Sequence, residues 1–179
     1  MPTLPRRRAL QGGLGLLALA APCLHAQTPP AQGAREAQAP PLPAIGSALA
    51  LPEAVRLDGA VFRPADAEGR VLVLYWWASW CPFCAVVSPL MDRLWREQAP
   101  RGLGFLGLSI DRTPQDARAY LDKRGFGFPS AWVTPALARA LPKPKGLPVT
   151  LVRGRDGRVL MAEAGQLFPE DVAEIARFL

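Results

Sequence analysis

A chain of 179 residues that is 50% hydrophobic and 20% charged has the balance of a globular protein, long enough for one domain and too short for two of ordinary size. Half of its net charge of +6 comes from Arg6, Arg7 and Arg8 at the extreme N-terminus. The mild basic excess that remains gives no basis for nucleic-acid binding.

The first 26 residues carry the pattern of a targeting segment. Arg6-Arg7-Arg8 is a basic start, Gly12 to Ala21 is an apolar run ended by Pro22, and Leu24-His25-Ala26 is a cleavage site. The run is well short of the ~20 apolar residues that span a bilayer. A cleaved export signal over residues 1–26 is therefore expected, rather than an uncleaved anchor, and no transmembrane span remains after cleavage. The paired arginines followed by Ala9-Leu10 also resemble a twin-arginine signal; ordinary secretory export is the open alternative. Cys23 follows two alanines as a lipid attachment site would, but Pro22 before it disfavours that role. Cleavage after Ala26 removes both Cys23 and His25. The mature chain then keeps two cysteines and no histidine, which excludes histidine-dependent nucleophilic catalysis and leaves few ligands for zinc or copper.

Residues 27–50 are rich in Pro, Ala and Gln and read as a semi-rigid, largely disordered leader. The folded domain is expected over residues 51–179. Val55 to Phe62, around the turn dipeptide Asp58-Gly59, predicts a small hairpin. Val71 to Trp77 is a continuous apolar run that predicts a strand buried on both faces. From Cys84 to Gln98, Val87, Leu90, Met91, Leu94 and Trp95 recur at helical steps, with Pro89 as a kink. Leu103 to Ile110 predicts a second buried strand. Pro114 to Lys123 predicts a helix capped by Thr113. A short strand (Ser130 to Thr134), a short helix (Pro135 to Leu141), two strands (Val149 to Arg153 and Val159 to Ala164) joined through Asp156-Gly157, and a closing helix (Glu170 to Leu179) complete the order. The sum is an α/β domain with a mixed central sheet covered by helices on both faces.

Trp80-Cys81-Pro82-Phe83-Cys84 falls where a buried strand gives way to a helix. At a helix N-terminus, unpaired N–H groups and the macrodipole favour negative charge, so the first sulfur is acidified and its thiolate becomes the reactive form. Pro82 suits the first turn. Cys81 is the expected nucleophile, and the more buried Cys84 is expected to resolve the mixed disulfide. Half of a zinc site would need two further Cys or His ligands that the mature chain lacks. A structural disulfide across so short a loop would constrain the unfolded chain little.

Tyr75-Trp76-Trp77-Ala78-Ser79-Trp80-Cys81-Pro82-Phe83-Cys84 resembles the active-site segment of the thioredoxin superfamily, and Pro89 is similar to the proline of that family's first-cysteine helix. Gly146-Leu147-Pro148-Val149-Thr150, with the hairpin after it, resembles the family's cis-proline loop. The branch it resembles is the TlpA/ResA group of exported thiol–disulfide oxidoreductases. The resemblance implies a thioredoxin-like fold, a cis Leu147–Pro148 bond packed against the sulfurs, and a Leu147 backbone that pairs with the substrate chain as an added strand. It implies protein thiols and disulfides as substrates, a membrane or periplasmic electron donor or acceptor, a periplasmic site of action, and no cofactor beyond the Cys81–Cys84 couple. A reductase, serving for example cytochrome c or oxidase assembly, is the favoured direction; a DsbA-like oxidant shares fold and motif. A Cu(I)-handling chaperone of similar fold would use a wider cysteine spacing and a histidine, and a peroxidase would have Thr where Ala78 stands.

Two departures concern proton transfer. The family often keeps a carboxylate six residues before the first cysteine, here Tyr75, or three after the second, here Val87. Glu163, on a strand that can reach the site, is the remaining candidate acid. Arg139, Lys143, Lys145, Arg153, Arg155 and Arg158 crowd the sequence around Pro148. Either they form a solvated face, or Lys143 and Lys145 approach Cys81 and favour its thiolate. Trp80 and Phe83 are expected as an apolar docking rim, and Trp76, Trp77 and Trp95 as core.

Overall fold

In the computed structural model, which describes residues 36–179, the elements follow in the order β1 (Ala54–Val55), β2 (Val61–Phe62), β3 (Leu72–Trp77), α1 (Pro82–Gln98), β4 (Gly104–Ser109), α2 (Pro114–Arg124), β5 (Ser130–Trp132), α3 (Pro135–Ala140), β6 (Val149–Arg153), β7 (Val159–Ala164) and α4 (Pro169–Ile175). The residues read as an export signal, Cys23 and His25 among them, lie outside the described residues. β1 and β2 form the small hairpin. The other strands make one sheet in the order β5-β4-β3-β6-β7, with β3, β4 and β5 parallel and β6 and β7 antiparallel to their neighbours.

The apolar run at 71–77 becomes the central strand because it is flanked by sheet on both sides and covered on both faces. Its side chains alternate. Val73, Tyr75 and Trp77 join Cys84, Val87, Met91 and Leu94 of α1, Ala117 and Leu121 of α2, and Val172 and Ile175 of α4. Leu72, Leu74 and Trp76 face the other way, with Leu137 of α3 and Ala54 and Phe62 of the hairpin. Period-two alternation thus serves two cores at once, which leaves no polar position in the strand. Packing is tight where β4 passes β3: a Cβ on Gly107 would lie 3.0 Å from the Trp77 indole nitrogen and 3.1 Å from the Phe128 ring.

The helices end where local chemistry ends them. The Thr113 hydroxyl accepts the Asp116 N–H at 3.1 Å and Pro114 opens the first turn of α2, while Gly125 closes it in the left-handed conformation at φ 67°. α1 runs unbroken through Pro89, whose ring leaves the Ala85 carbonyl without its usual donor. The closing helix is shorter than the sequence pattern predicts. It is α-helical only to Ile175 and tightens to a 3₁₀ turn over Ala176–Phe178.

The expectation of a structureless leader to residue 50 fails in its second half. Leu42, Leu49 and Leu51 pack against the Leu72/Trp76 core. The Gly46 N–H donates to the Val159 carbonyl, Val159 N–H to Ser47, and Leu49 N–H to Gly157. A proline-rich composition disfavours helix but leaves extended chain free to lie along a strand. At the opposite margin of the sheet, the Leu57 N–H donates to the Ser130 carbonyl of β5 and Arg56 bridges to Ala131. No helix among the described residues is long and apolar enough to cross a membrane.

Candidate active site

β3 ends at Trp77, and four residues later Cys81 caps α1. Its backbone is extended (φ −83°, ψ 116°), with Pro82 at the first helical position. The Cys81 sulfur accepts the Cys84 N–H at 3.1 Å, in the position that a serine or aspartate cap would fill. Cys81 is 4% exposed and Cys84 0%, and both are free thiols. A protein partner therefore meets Cys81 first.

The two sulfurs differ in acidity for reasons the geometry supplies. The Cys84 thiol donates to Cys81, and the amides of Cys84 and Phe83 add to it. Together they outweigh burial and bring Cys81 down to about 7. Cys84 moves the opposite way. Sharing its proton with Cys81 is the largest cause, burial is the next, and the negative charges of Cys81 and Asp111 add to both. In the reduced protein, iodoacetamide labelling of Cys81 is thus expected to rise with pH through a midpoint near 7, against about 8.5 for free cysteine. Stopped-flow labelling across pH 5–10 checks this; a midpoint at the free-cysteine value contradicts it.

Around the sulfurs, Trp80, Phe83 and Val86 are about half exposed (49%, 54% and 51%) and Pro82 is exposed, which makes an apolar rim. The Leu147–Pro148 bond is cis, and Pro148 is buried. Leu147 packs against both cores, including the one that contains Cys81 and Cys84. Among the described residues no backbone hydrogen bond to Leu147 is made, whereas the Pro148 carbonyl accepts the Gly165 N–H.

The two positions without the expected acids are filled by a neutral arrangement. The Tyr75 hydroxyl lies 3.0 Å from Ser88 Oγ, one turn along α1 from Cys84, and Val87 is fully buried. Burial first, and then the nearby Cys84, push the Tyr75 phenol well above its ordinary value, so it stays protonated. Glu163 stands opposite Thr150 in the β6–β7 register and is exposed, so it does not enter the buried pocket.

The basic residues near Pro148 do not converge on Cys81. Lys143 Nζ donates to Glu36 at 3.0 Å, to the Pro144 carbonyl at 2.8 Å and to the Gly146 carbonyl at 2.7 Å. No lysine contributes to the acidity of Cys81. Arg153 donates to Leu49 and Ala67, and Arg158 to Gly46. These cations hold the N-terminal segment and the loops in place. The acid that contacts the loop before Cys81 is instead Asp111, just after β4, which accepts from Ser79 and which the sequence reading missed. The available signal was a polar Ser109-x-Asp111 pair directly after an apolar strand.

A family model described as AhpC/TSA matches residues 45–159. The thiol:disulfide interchange protein HelX of Rhodobacter capsulatus is 33% identical over 137 residues, 72% of this chain and 75% of that protein. The thiol-disulfide oxidoreductase ResA of Oceanobacillus iheyensis is 29% identical over 73 residues, 41% of this chain but only 38% of that protein. Among solved structures, a thiol:disulfide interchange protein of the thioredoxin family from Chlorobium tepidum superposes with a TM-score of 0.67 at 25% identity, covering 75% of this chain and 97% of that one. The α/β fold, with its mixed five-stranded sheet, is thus the thioredoxin-like one.

Proposed function

This chain belongs to the AhpC/TSA family, and from that premise we propose that it is a thiol–disulfide oxidoreductase that reduces disulfides of protein partners through Cys81 and Cys84. The observation that carries the reading is the placement of two free sulfurs one helical turn apart at the mouth of α1. One is held at the helix mouth by an amide and brought down to about 7; the other is buried beneath it and pushed up.

The steps follow from that difference. The Cys81 thiolate attacks one sulfur of the partner's disulfide. A Cys81–partner S–S bond forms, the partner's own S–S bond breaks, and its second sulfur leaves as a thiolate that takes a proton from solvent. Cys84 then loses its proton and attacks the Cys81 sulfur. The mixed disulfide breaks, the partner leaves as a dithiol, and Cys81–Cys84 is left oxidised by two electrons. A dithiol reductant restores the couple. The dithiol is itself the redox group, so no cofactor takes part. Trp80, Pro82 and Phe83 form the apolar surface on which the partner rests. Leu147, beside Pro148, offers unpaired backbone groups for an extended segment of the partner.

The arginine-led pattern of residues 1–26 supports export to an oxidising extracytoplasmic compartment such as the periplasm, where assembly of cytochrome c or of an oxidase would require such a reductant. Equilibration with glutathione tests the direction. A reductase is expected near or below about −250 mV, and a value near −120 mV would make the protein an oxidant instead.

A further inference from the structure

The loop that presents Leu147 is gripped by two side chains distant from each other in sequence. Lys143 and Glu36 form an ion pair at 3.0 Å, with side chains only 15% and 39% exposed. The Lys143 ammonium also donates to the Pro144 carbonyl at 2.8 Å and to the Gly146 carbonyl at 2.7 Å, so its three N–H groups meet three acceptors. The second carboxylate oxygen of Glu36 accepts the Gly146 N–H. Gly146 is thus held at both of its backbone groups. Further along the same N-terminal segment, the Pro40 carbonyl accepts the Lys145 N–H at 2.9 Å. Gly146 sits at φ 104°, and a Cβ there would lie 2.9 Å from Ala164 Cβ of β7, so the loop is pressed onto the sheet at this residue. On the other side of Leu147, Pro148 has no N–H, and its carbonyl accepts from Gly165. From Gly146 to Pro148, Leu147 alone keeps its backbone groups unpaired among the described residues.

We propose that Glu36 and Lys143 are positioning residues that set the register of a partner's extended segment: by occupying the N–H and carbonyl of Gly146, they leave Leu147 as the single residue from Gly146 to Pro148 on which foreign backbone can pair. This rests on the thiol–disulfide reading above and adds to it the residues that decide where the partner lies. An added strand is placed by the unpaired groups offered to it. A slip of one residue moves it by about 3.3 Å and turns every side chain to the opposite face. With Gly146 open as well, a partner pairs at either residue, and half of those pairings carry its disulfide off the line to Cys81. The grip is therefore a specificity device for chain-like partners. A small disulfide that forms no backbone pairing is indifferent to it.

The test mixes the reduced full chain with two disulfides, an extended peptide joined through its one cysteine to glutathione, and the small neutral hydroxyethyl disulfide. Glu36→Ala and Lys143→Met are each expected to raise the half-saturating peptide concentration about fivefold, the scale of one hydrogen bond, and to leave the limiting rate within about twofold. The rate with hydroxyethyl disulfide should not change. The double variant should match the worse single one, because either loss opens Gly146. Lys143→Arg keeps the charge and the donors and should stay nearer the wild type. Amide hydrogen exchange reads the grip directly: the Gly146 N–H should be slow in the wild type and fast in Glu36→Ala. The Leu147 N–H should be fast in the free protein and slow once Cys84→Ala holds the peptide as a mixed disulfide. Where Lys143→Met does not fold, Glu36→Ala carries the test. An unchanged peptide constant in a folded variant overturns the proposal. So does an equal loss with both disulfides, which would make the pair a support of the fold, and so does a Leu147 N–H that stays fast in the trapped complex. If the thiol–disulfide reading itself is wrong, the wild type reduces neither disulfide; if only this inference is wrong, the wild type reduces both and the variants fail one of these comparisons.

Discussion

Mixed disulfides with partner proteins should accumulate in the Cys84→Ala variant, and they should be absent when Cys81→Ser is added. Cys81 has the acidic sulfur at the helix mouth, so it still attacks when Cys84 is missing, and no other thiol among the described residues is then left to release the partner. Turnover in either single variant is expected to fall by about 10³-fold or more, the scale that loss of an attacking nucleophile carries. The two variants fail differently, however. Cys84→Ala stalls with the partner attached, visible on a non-reducing gel and cleared by dithiothreitol, whereas Cys81→Ser never engages. Cys84 is fully buried, so the reverse assignment would require it to reach a protein disulfide through the core. Trapped partners in Cys81→Ser and none in Cys84→Ala would reverse the roles argued here.

The second large effect is on stability. Trp77 is fully buried at the end of β3, with its ring 5.6 Å from that of Tyr120 and 6.1 Å, edge-on, from that of Phe128. Its carbonyl accepts the Ile110 N–H at 2.9 Å, one residue before Asp111. Trp77→Ala removes a large, fully buried side chain next to the active-site loop and leaves a gap in the sheet–helix core. A loss of about 3–5 kcal/mol is expected, a large part of the roughly 5–15 kcal/mol that holds a typical domain together. Urea unfolding at an unchanged slope should report it as a lower midpoint. A loss below about 1 kcal/mol would mean that the core collapses into the space.

Where the physics was local, the sequence was readable. Val71 to Trp77 needed only its unbroken apolar run to be a doubly buried strand, and Thr113-Pro114 needed only cap chemistry to start a helix. The placement of Cys81 at a helix mouth, with Cys84 one turn on, was legible because an apolar run followed by Pro82 marks a strand-to-helix junction. What was missed depends on register. Trp77 pairs with Ser109 in the β3–β4 ladder, and only that pairing carries Asp111 to Ser79 across 32 positions of sequence. Lys143 was likewise misjudged because its partner, Glu36, lies 107 positions away, in a stretch whose composition argued against order. Charge clustering along a sequence gives no indication of which carboxylate or carbonyl will claim each cation. Glu163 was on a strand of suitable position, but the edge of the sheet left it in water.

The strands at the two margins of the sheet, β5 and β7, do not stand bare. Leu57 and Arg56 lie along one and residues 46–49 along the other, so both outer rows of amide and carbonyl groups are partly spoken for from within the same chain. Unclaimed margins of this kind invite copies of a protein to stitch together into aggregates. A protein that, on the reading proposed above, accepts extended segments of other chains is especially vulnerable to that hazard. On that reading foreign backbone is turned away along β5 and at the start of β7 and admitted at Leu147, which packs against the core that contains the sulfurs.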